Sequence, residues 1–335
     1  MKTWIGLVGA GLMVAPVTQA EVTFDWADVG DANNAADNST GGLYGSVDHN
    51  YRISKYEVTI GQYAEFLNAV AATDSYGLYH TNMGTNLNIA GISRSGSSGS
   101  YSYSVIGSAN RPITYVSWFD AARFVNWVEN GQGSGSTETG VYALAGATSG
   151  TGFTASGSAS HWIPTEDEWY KAAYYDPTIG AGDDGDNYHL YATQSSTVPG
   201  NDVGGTANQA NYKFYNGSGY EYSVTQSTTY DSNQNYLTDV GSFTGSESYY
   251  GTFDQNGNVW EWNDAVIGSS RGLRGGSWRS AEGALRSSFR YNLGPSNGSS
   301  LIGFRIAGVA SVPEPTSIFL LGIGSLSMLL HRKRG

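Results

Sequence analysis

The sequence contains no cysteine among its 335 residues. No disulfide can form, so an exported form of this chain must obtain its stability from a packed core or from a bound metal ion. Thiolate chemistry is excluded as well, because the chain offers neither a cysteine nucleophile nor a cysteine ligand for copper(I).

Charged residues are also scarce, at 14% of the chain, and 17 Lys and Arg stand against 29 Asp and Glu. The net charge of −12 repels phosphate backbones, so nucleic acid is not expected as a partner and cations are more natural ligands. Glycine is abundant, with 46 residues, and aromatic side chains make up 13% of the chain. This composition indicates a loop-rich fold with an aromatic core rather than a helical bundle.

The N-terminus has the pattern of an export signal. Residues 1–20 begin with a lysine at position 2, continue with an apolar run from Ile5 to Val17 and end in "TQA". The apolar run is too short to span a bilayer, so the pattern predicts a signal peptide that is removed from the mature protein. A buried N-terminal strand is the alternative.

The C-terminus combines an apolar run with a basic end. Residues 312–335 read VPEPTSIFLLGIGSLSMLLHRKRG, in which Ile318 to Leu330 carries almost no charge. Basic residues stay on the cytoplasmic side, which predicts that residues 21–311 lie outside the membrane. The run is shorter than the roughly 20 residues of a stable span, which suits a transient anchor.

This arrangement resembles the PEP-CTERM sorting tag, here over residues 311–335 with an apolar helix over 316–330. The resemblance implies a Gram-negative envelope, an exosortase-type processing enzyme as partner, and delivery to the cell surface or extracellular matrix. The membrane would be contacted only through this C-terminal helix. An ordinary C-terminal anchor is the alternative.

Helix signals are confined to the first half of the chain. Three predicted helices each begin with a capping pair three residues apart: Thr59 with Gln62, Ser117 with Asp120, and Thr165 with Glu168. Residues 73–110 predict a long loop with short strands, and residues 131–160 another loop. Beyond residue 180, short aromatic and β-branched runs alternate with Gly, Asn and Ser, which predicts irregular antiparallel strands and no helix. The fold class predicted is α+β.

Several blocks follow one another between about residues 50 and 308: KYEVTIGQYAEFLNA, RPITYVSWFDAARFVNW, WIPTEDEWYKAA, GTFDQNGNVWEWNDA, LRGGSWRS, LRSSFR and IGFRIAG. In this order they resemble the formylglycine-generating enzyme (sulfatase-modifying factor) family. The resemblance implies one domain over residues 21–310 with that family's variant of the C-type lectin fold and little regular secondary structure.

In the oxidising members of that family, two cysteines on the strand after GGS bind copper and convert a substrate cysteine to formylglycine. The resemblance places them at Ser280 and near Leu285 in this sequence. A serine hydroxyl stays protonated and binds copper(I) poorly, so the sequence predicts neither copper nor this oxidase reaction. No catalytic residue is assigned.

The segment DQNGNVWE is the best metal candidate. Asp254, Asn256, Asn258 and Glu261 offer hard oxygens around a glycine turn, which suits calcium. The alternative is a turn whose asparagines satisfy the backbone locally.

The family resemblance implies a particular set of calcium ligands: the side chains of Asp254 and Glu261 and the carbonyls of Gly257 and Val259. It also implies, more loosely, a second calcium site at Asn211, the Tyr212 carbonyl and Asp231. The calcium is expected to be structural.

The other motifs are weaker indications of function. The aspartates of AGDDGDN (181–187) read as a solvated acidic loop, and the two G-x-S-x-G matches, GSSRG (268–272) and GPSNG (294–298), lack a strand–elbow–helix context. The five histidines are scattered, without a pair at i, i+4.

The remaining aromatics and arginines read first as core residues and loop bridges: Trp260, Trp262, Arg274, Arg290 and Arg305. A functional interpretation puts Trp278, Ser280 and Arg286 on the wall of a cleft for a peptide or glycan, since aromatic faces and guanidinium groups bind such ligands. The leading hypothesis is an exported, calcium-stabilised protein- or glycan-binding module. The alternatives are an enzyme of the same family with non-copper chemistry and a structural matrix protein.

Overall fold

The computed structural model describes residues 21–180 and 186–311. The predicted signal peptide, most of the acidic loop at 181–187 and the predicted apolar helix at 316–330 lie outside these ranges. Among the residues described, none forms a helix that is long and apolar enough to cross a membrane.

Four α-helices are present in the described ranges: α1 (Ile60–Val70), α2 (Asn82–Thr85), α3 (Trp118–Glu129) and α4 (Glu166–Tyr174). Complete capping boxes begin α1, α3 and α4 at the pairs predicted from the sequence: Thr59 with Gln62, Ser117 with Asp120, and Thr165 with Glu168. The single turn α2 lies in a stretch predicted as loop. Beyond α4, the described residues hold only strands, turns and one 3-10 turn, Glu282–Leu285, which confirms the strand-rich second half.

The strands are short, and those of the described ranges are β1 (Trp26–Val29), β2 (Tyr51–Ser54), β3 (Ile92–Ser95), β4 (Ser102–Val105), β5 (His161–Trp162), β6 (Lys213–Tyr215), β7 (Tyr220–Tyr222), β8 (Trp260–Ile267), β9 (Ser270–Arg274), β10 (Tyr291–Leu293), β11 (Ile302–Phe304) and β12 (Ala307–Val309). One four-stranded sheet has the order β1-β2-β12-β5 and another the order β10-β9-β8-β11. The pairs β3–β4 and β6–β7 form two separate antiparallel ribbons.

The end of the domain ties the two large sheets together. Strand β11 runs parallel to β8, with Ile302 opposite Trp260, and β12 pairs antiparallel with β2, with Ala307 opposite Ile53. Because only two residues separate β11 from β12, the closing segment fixes the spacing between the sheets. The segment around Arg305 therefore lies between them.

The core is aromatic, as the composition predicts. The ring of Phe124 on α3 contacts five other rings, among them those of Tyr63, Phe66 and Phe304 at centroid distances of 6.0, 5.4 and 5.4 Å. Every residue of α3 except its last, Glu129, is buried, and the loop 131–160 packs against the helix. The buried amide of Asn126 donates to the carbonyls of Thr137 and Tyr142 in this loop. Loops thus complete the core of an α+β fold with little regular secondary structure.

Candidate functional site

The segment 254–261 forms a tight turn before β8. Asp254, Gly257 and Asn258 have φ angles of 60°, 84° and 54°, in the left-handed region. At Gly257 a β-carbon would lie 2.2 Å from the carbonyl oxygen of Asn211, so only glycine fits. The turn is therefore held against the segment at 211 by a contact that admits no side chain.

Glu261 at the start of β8 is fully buried and fully engaged. Arg305 donates from Nε to Oε2 at 2.5 Å and from Nη2 to Oε1 at 2.8 Å. The indole of Trp169 donates to Oε2 at 2.7 Å. The family resemblance implies that this carboxylate binds calcium. In the structure it already accepts two hydrogen bonds from Arg305 and one from Trp169.

Two further carboxyl groups lie near this pair. Burial raises the pKa of Asp254 to about 6, opposed by the Gly241 N–H, which donates to Oδ2 at 2.6 Å. Glu57 is 1% exposed, and neither of its side-chain oxygens has a hydrogen-bond partner. Burial raises the pKa of Glu57 well above its usual range, and the charge of Asp254 raises it further.

The backbone of the turn offers oxygen atoms. Within the described residues, no hydrogen-bond donor reaches the carbonyl oxygens of Gly257 or Val259, although both residues are buried. A buried carbonyl normally has a partner, so both oxygens fit a role as cation ligands. No three His, Asp or Glu side chains of the described ranges converge enough to hold a metal ion by themselves. A cation here would depend on these carbonyls.

The asparagines of the turn serve the protein itself. The side chain of Asn256 accepts from the Ala192 N–H at 2.8 Å and donates to the Leu285 carbonyl at 2.7 Å. The Oδ1 of Asn258 accepts from the Asn211 amide at 3.0 Å. Both amides bond to distant segments, whereas the alternative reading of the motif expects bonds to the local backbone.

Two residues of the second predicted calcium set, Asn211 and Asp231, hydrogen-bond to Tyr236. The Asn211 amide donates to the Tyr236 carbonyl at 2.9 Å, and the Asp231 N–H donates to the Tyr236 hydroxyl oxygen at 2.8 Å. The Tyr212 carbonyl accepts from the Ser223 hydroxyl at 3.2 Å. Asp231 is exposed, whereas Asn211 is buried, and this second calcium site stays a prediction.

The three predicted cleft residues have different environments. Trp278 is 2% exposed and donates through its indole N–H to the Ser300 carbonyl. Ser280 is half-buried and accepts from the Ser277 N–H at 3.0 Å. Arg286 is exposed, and its Nε donates to the Tyr191 hydroxyl at 3.2 Å. Three cavities in the described part of the chain, of about 510, 280 and 340 Å³, are lined by other residues.

Trp278 is instead the base of an aromatic stack that reaches the surface. Tyr236 lies parallel to it at 4.9 Å and 4°, and Tyr230 lies on Tyr236 at 5.8 Å and 10°. Tyr230 is 44% exposed, and the exposed guanidinium of Arg279 lies 5.6 Å from its ring centroid. The stack thus presents an aromatic ring and a cation side by side.

The ribbon β6–β7 extends this surface. Tyr215 and Tyr220, at 51% and 42% exposure, pack against each other at 5.3 Å, and the Lys213 N–H donates to the Ser280 carbonyl at 2.9 Å. We call the surface formed by Tyr215, Tyr220, Tyr230 and Arg279 the tyrosine face. Sequence reasoning missed it, because its tyrosines are far apart in a stretch without regular periodicity; their high frequency there was the available signal.

The other arginines and the histidines are structural in the described part of the chain. Arg274 and Arg290 both donate to Glu166, each through Nε at 2.8 Å to Oε1. The four histidines there do not meet: three pair with separate acids and one stacks on a tyrosine, namely His49 with Glu168, His161 with Glu129, His189 with Asp176, and His80 with Tyr115. No zinc site or Ser-His-Asp arrangement forms from these residues.

Comparison with known protein families gives two matches. Residues 29–310 match the model of the sulfatase-modifying factor enzyme 1-like domain, and residues 311–334 match the PEP-CTERM protein-sorting motif. No curated protein sequence matches the chain.

Several solved structures are similar to this chain at low sequence identity. CarF is 20% identical over 86% of this chain and 99% of its own, with a TM-score of 0.50. Variable protein 1 of Treponema denticola is 19% identical over 88% and 100%, with a TM-score of 0.49. PvdO from Pseudomonas aeruginosa is 18% identical over 79% and 82%, with a TM-score of 0.42. With the family model covering most of its length, the chain belongs to the sulfatase-modifying factor enzyme 1-like family, and it carries a PEP-CTERM motif for export and envelope association.

Proposed function

We propose that this protein is an exported, non-catalytic binding module that uses the tyrosine face to hold a carbohydrate in the cell envelope or matrix. The observation that carries the proposal is the three-ring stack from buried Trp278 to exposed Tyr230, with Arg279 beside it. The stack lies next to Ser280, where the family's oxidising members have a cysteine by resemblance. The proposed binding surface thus lies next to the position that corresponds to a copper-binding cysteine in the oxidising members.

The stack is suited to binding because its outermost ring is already held in place. Tyr236 supports Tyr230 from below, and the Tyr230 hydroxyl donates to the side chain of Asn88. A tyrosine has little rotamer freedom to lose, and here most of that freedom is lost before a ligand arrives. A sugar ring presents C–H groups to such a face and hydroxyls to the guanidinium.

Carbohydrate is favoured over peptide by the composition of the face. Its three tyrosines combine apolar rings with hydroxyl groups, and two cations accompany them, Arg279 beside Tyr230 and Lys213 over Tyr220. A neutral or weakly acidic glycan fits such a surface. A peptide would rely more on apolar pockets and main-chain pairing.

Calcium is proposed in a structural role at the turn 254–261. The unpartnered carbonyls of Gly257 and Val259 and the buried carboxyl of Asp254 support it. When bound, the cation would hold the turn and, through the contact at Gly257, the segment that leads to Tyr212 and β6. The sorting motif supports processing by exosortase-type machinery, and we propose delivery to the surface of a Gram-negative cell.

A glycan array followed by titration of the hits tests the binding function. The purified mature protein is compared with Tyr230→Ala and Arg279→Ala, and with Tyr249→Ala as a matched control, since Tyr249 is 39% exposed but packs on Tyr250 outside the face. Loss of one stacked tyrosine is expected to weaken binding by about ten- to a hundredfold. The control variant keeps the parent affinity.

Three results would contradict the proposal. Equal affinity in all variants would place the ligand elsewhere. No ligand together with strong self-association would favour a structural matrix protein. Turnover with a bound redox metal would favour an enzyme of the same family with different chemistry.

A further inference from the structure

A cavity of about 280 Å³ opens beside the N-terminal part of α3. Three buried residues of this helix and its cap line it, namely Ser117, Asp120 and Arg123. The rest of its wall comes mostly from surface loops, including Tyr76, which is 36% exposed. The cavity shares no residue with the tyrosine face or with the turn 254–261. It is therefore a separate place at which a ligand could bind.

Arg123 uses only part of its hydrogen-bonding capacity. Its Nε donates to Oε1 of Glu138 at 2.7 Å, and its Nη2 donates to Oε2 of Glu138 at 3.1 Å and to the Ala147 carbonyl at 2.8 Å. The third nitrogen, Nη1, is shielded from solvent and has no partner, on a side chain that is 0% exposed. A buried donor without an acceptor is costly. The cavity thus borders a guanidinium that lacks an acceptor.

Tyr76 covers this guanidinium. The Cζ of Arg123 lies 4.1 Å from the centroid of the Tyr76 ring. Asp74 fixes the backbone of the turn that carries Tyr76, since its Oδ1 accepts from the Leu78 N–H at 2.7 Å. No residue of the described ranges bonds to the Tyr76 hydroxyl, so a small rotation of this exposed side chain would bring a ligand to Nη1. The ring provides an aromatic wall in either position.

Asp120 supplies an acceptor next to this donor. Its Oδ2 accepts from the N–H and the hydroxyl of Ser117 at 2.8 and 2.7 Å, whereas no donor among the described residues reaches Oδ1. Asp120 and Arg123 are three positions apart on α3 and therefore lie on the same face of the helix. The cavity offers a free acceptor and a free donor side by side.

The charges around the cavity disfavour an ionic ligand. The positive charge of Arg123 is already paired with Glu138, so a ligand carboxylate would meet no free guanidinium and would lie close to Asp120. A ligand ammonium would be attracted by Asp120 but would lie beside Arg123. The remaining basic group on the wall, the imidazole of His80, is exposed to solvent, which screens it. A neutral polar ligand avoids both repulsions.

We propose that this cavity is a second binding site, for a neutral monosaccharide, whose hydroxyl groups accept from Nη1 of Arg123 and donate to Oδ1 of Asp120. A hydroxyl group can fill both roles, and the C–H groups of a sugar ring pack on an aromatic wall such as Tyr76. The cavity has the volume of roughly nine water molecules, which suits one sugar ring and no longer glycan. The site goes beyond the proposed function, because it does not depend on the tyrosine face.

Titration of the mature protein with free sugars, followed by saturation-transfer NMR, tests the inference. The neutral probes are D-glucose, D-galactose, D-mannose and N-acetyl-D-glucosamine. The charged comparators are D-glucuronate and D-glucosamine, which keep the glucose ring and add one charge of either sign. Free monosaccharides are used because they are small enough to enter the cavity.

Four variants accompany the parent protein. Asp120→Asn presents an amide N–H where the free acceptor was, and Arg123→Lys keeps a positive charge opposite Glu138 but removes Nη1. Asp167→Asn is the matched control, since Asp167 is an acid in the first turn of α4 that does not line the cavity. Tyr230→Ala distinguishes the cavity from the tyrosine face. Melting temperatures establish that each variant is folded, and Asp120→Asn decides the test if Arg123→Lys does not fold.

At least one neutral sugar is expected to bind the parent protein with a Kd on the order of 1 mM, as suits a few hydrogen bonds and one stacked ring. The two charged comparators bind at least about tenfold more weakly than glucose. Asp120→Asn and Arg123→Lys each weaken binding at least about tenfold, since each removes one good hydrogen bond. Asp167→Asn and Tyr230→Ala leave the Kd within about twofold.

The outcomes separate this inference from the proposed function. If no neutral sugar binds the parent, or if Asp120→Asn and Arg123→Lys bind it as the parent does, the cavity is not a sugar site. If only Tyr230→Ala loses the sugar, the inference is wrong and the tyrosine face is supported. Tighter binding of glucuronate than of glucose would overturn the neutral ligand class. If the monosaccharide binds as expected and the glycan array gives no hit that depends on Tyr230, this inference stands and the proposed function falls.

Discussion

Arg305 and Glu261 form a fully buried, two-pronged ion pair at the centre of the molecule, with N–O distances of 2.5 and 2.8 Å. The guanidinium also donates to the carbonyls of Ser54, Lys55 and Phe253. One side chain therefore joins the first sheet, the second sheet and the turn between them. A planar group with five donors can do this, and a lysine cannot.

Replacing Arg305 with lysine is expected to lower the free energy of unfolding by about 3–5 kcal/mol. Lysine cannot make all five of these hydrogen bonds, so an oxygen of the buried Glu261 carboxylate and several carbonyls would lose their donors. Urea-induced unfolding, monitored by tryptophan fluorescence, measures this free energy. Arg94→Lys is the control: Arg94 pairs with Asp74 near the surface, with a quarter of its side chain exposed. That change should cost about 1 kcal/mol or less. Equal costs at the two positions would refute the bridging role of Arg305.

Gly257→Ala tests the contact that fixes the turn. The φ of 84° already disfavours alanine, and the new β-carbon would lie 2.2 Å from the Asn211 carbonyl oxygen. Gly251→Ala is the matched control, since Gly251 has a φ of 80° and no atom within 4 Å of the added carbon. The control should lose about 1 kcal/mol from backbone strain alone.

The Gly257 variant should lose at least about 2 kcal/mol more than the control, since either the Asn211 segment moves or the turn does. Differential scanning calorimetry of both variants compares the losses directly. If the two variants lose the same stability, close packing at Gly257 is not what holds the turn.

Much of the fold was predictable because its local signals are strong. The capping pairs at Thr59, Ser117 and Thr165 each satisfy backbone donors within three residues, so the sequence alone locates the helix starts. The strand-rich second half also follows from local composition. What could not be predicted is which distant segments meet, since β8 takes its parallel partner from residues 302–304.

The candidate site shows the same limit. The motif 254–261 is visible in the sequence. The hydrogen bonds of Glu261, however, come from Trp169 and Arg305, which are 92 and 44 positions away. Glu57 carries no sequence signal that separates it from the other acidic residues of the chain. Trp278 was predicted to line a cleft, yet two tyrosines far from it in sequence, 230 and 236, cover it.

The protein is expected to produce no formylglycine from a cysteine-containing peptide, with or without added copper, because it has no thiol to hold copper(I). Mass spectrometry of the peptide after aerobic incubation would detect the aldehyde, and a cysteine-containing member of the family provides the positive control.

The double variant Ser280→Cys, Leu285→Cys should remain inactive. Leu285 is fully buried, so a thiol there is not accessible to a substrate. Aldehyde formation by the parent protein would overturn the non-oxidase assignment.

Stability is expected to fall as the pH rises from about 4 to about 7, in part because of Asp120. Burial raises the pKa of this capping residue to about 7, against hydrogen bonds from Ser117 and the charge of Arg123, while the charge of Asp74 raises it further. The unfolded value is 3.8, so the folded state binds the proton more tightly. Stability is therefore greatest below the unfolded pKa and decreases until the folded pKa is passed.

Asp120→Asn keeps an oxygen that can accept the Ser117 N–H and hydroxyl bonds but removes the ionisation. The variant should be less pH-dependent than the parent between pH 4 and 7, and more stable at pH 8 by on the order of 1–4 kcal/mol. Urea midpoints measured at both ends of this range provide the test. Ser117→Ala separates the effects, because it weakens the cap while the carboxyl group stays buried. If the parent and Asp120→Asn have parallel pH profiles, Asp120 is ionised at little cost and the helix cap, rather than burial, sets its protonation state.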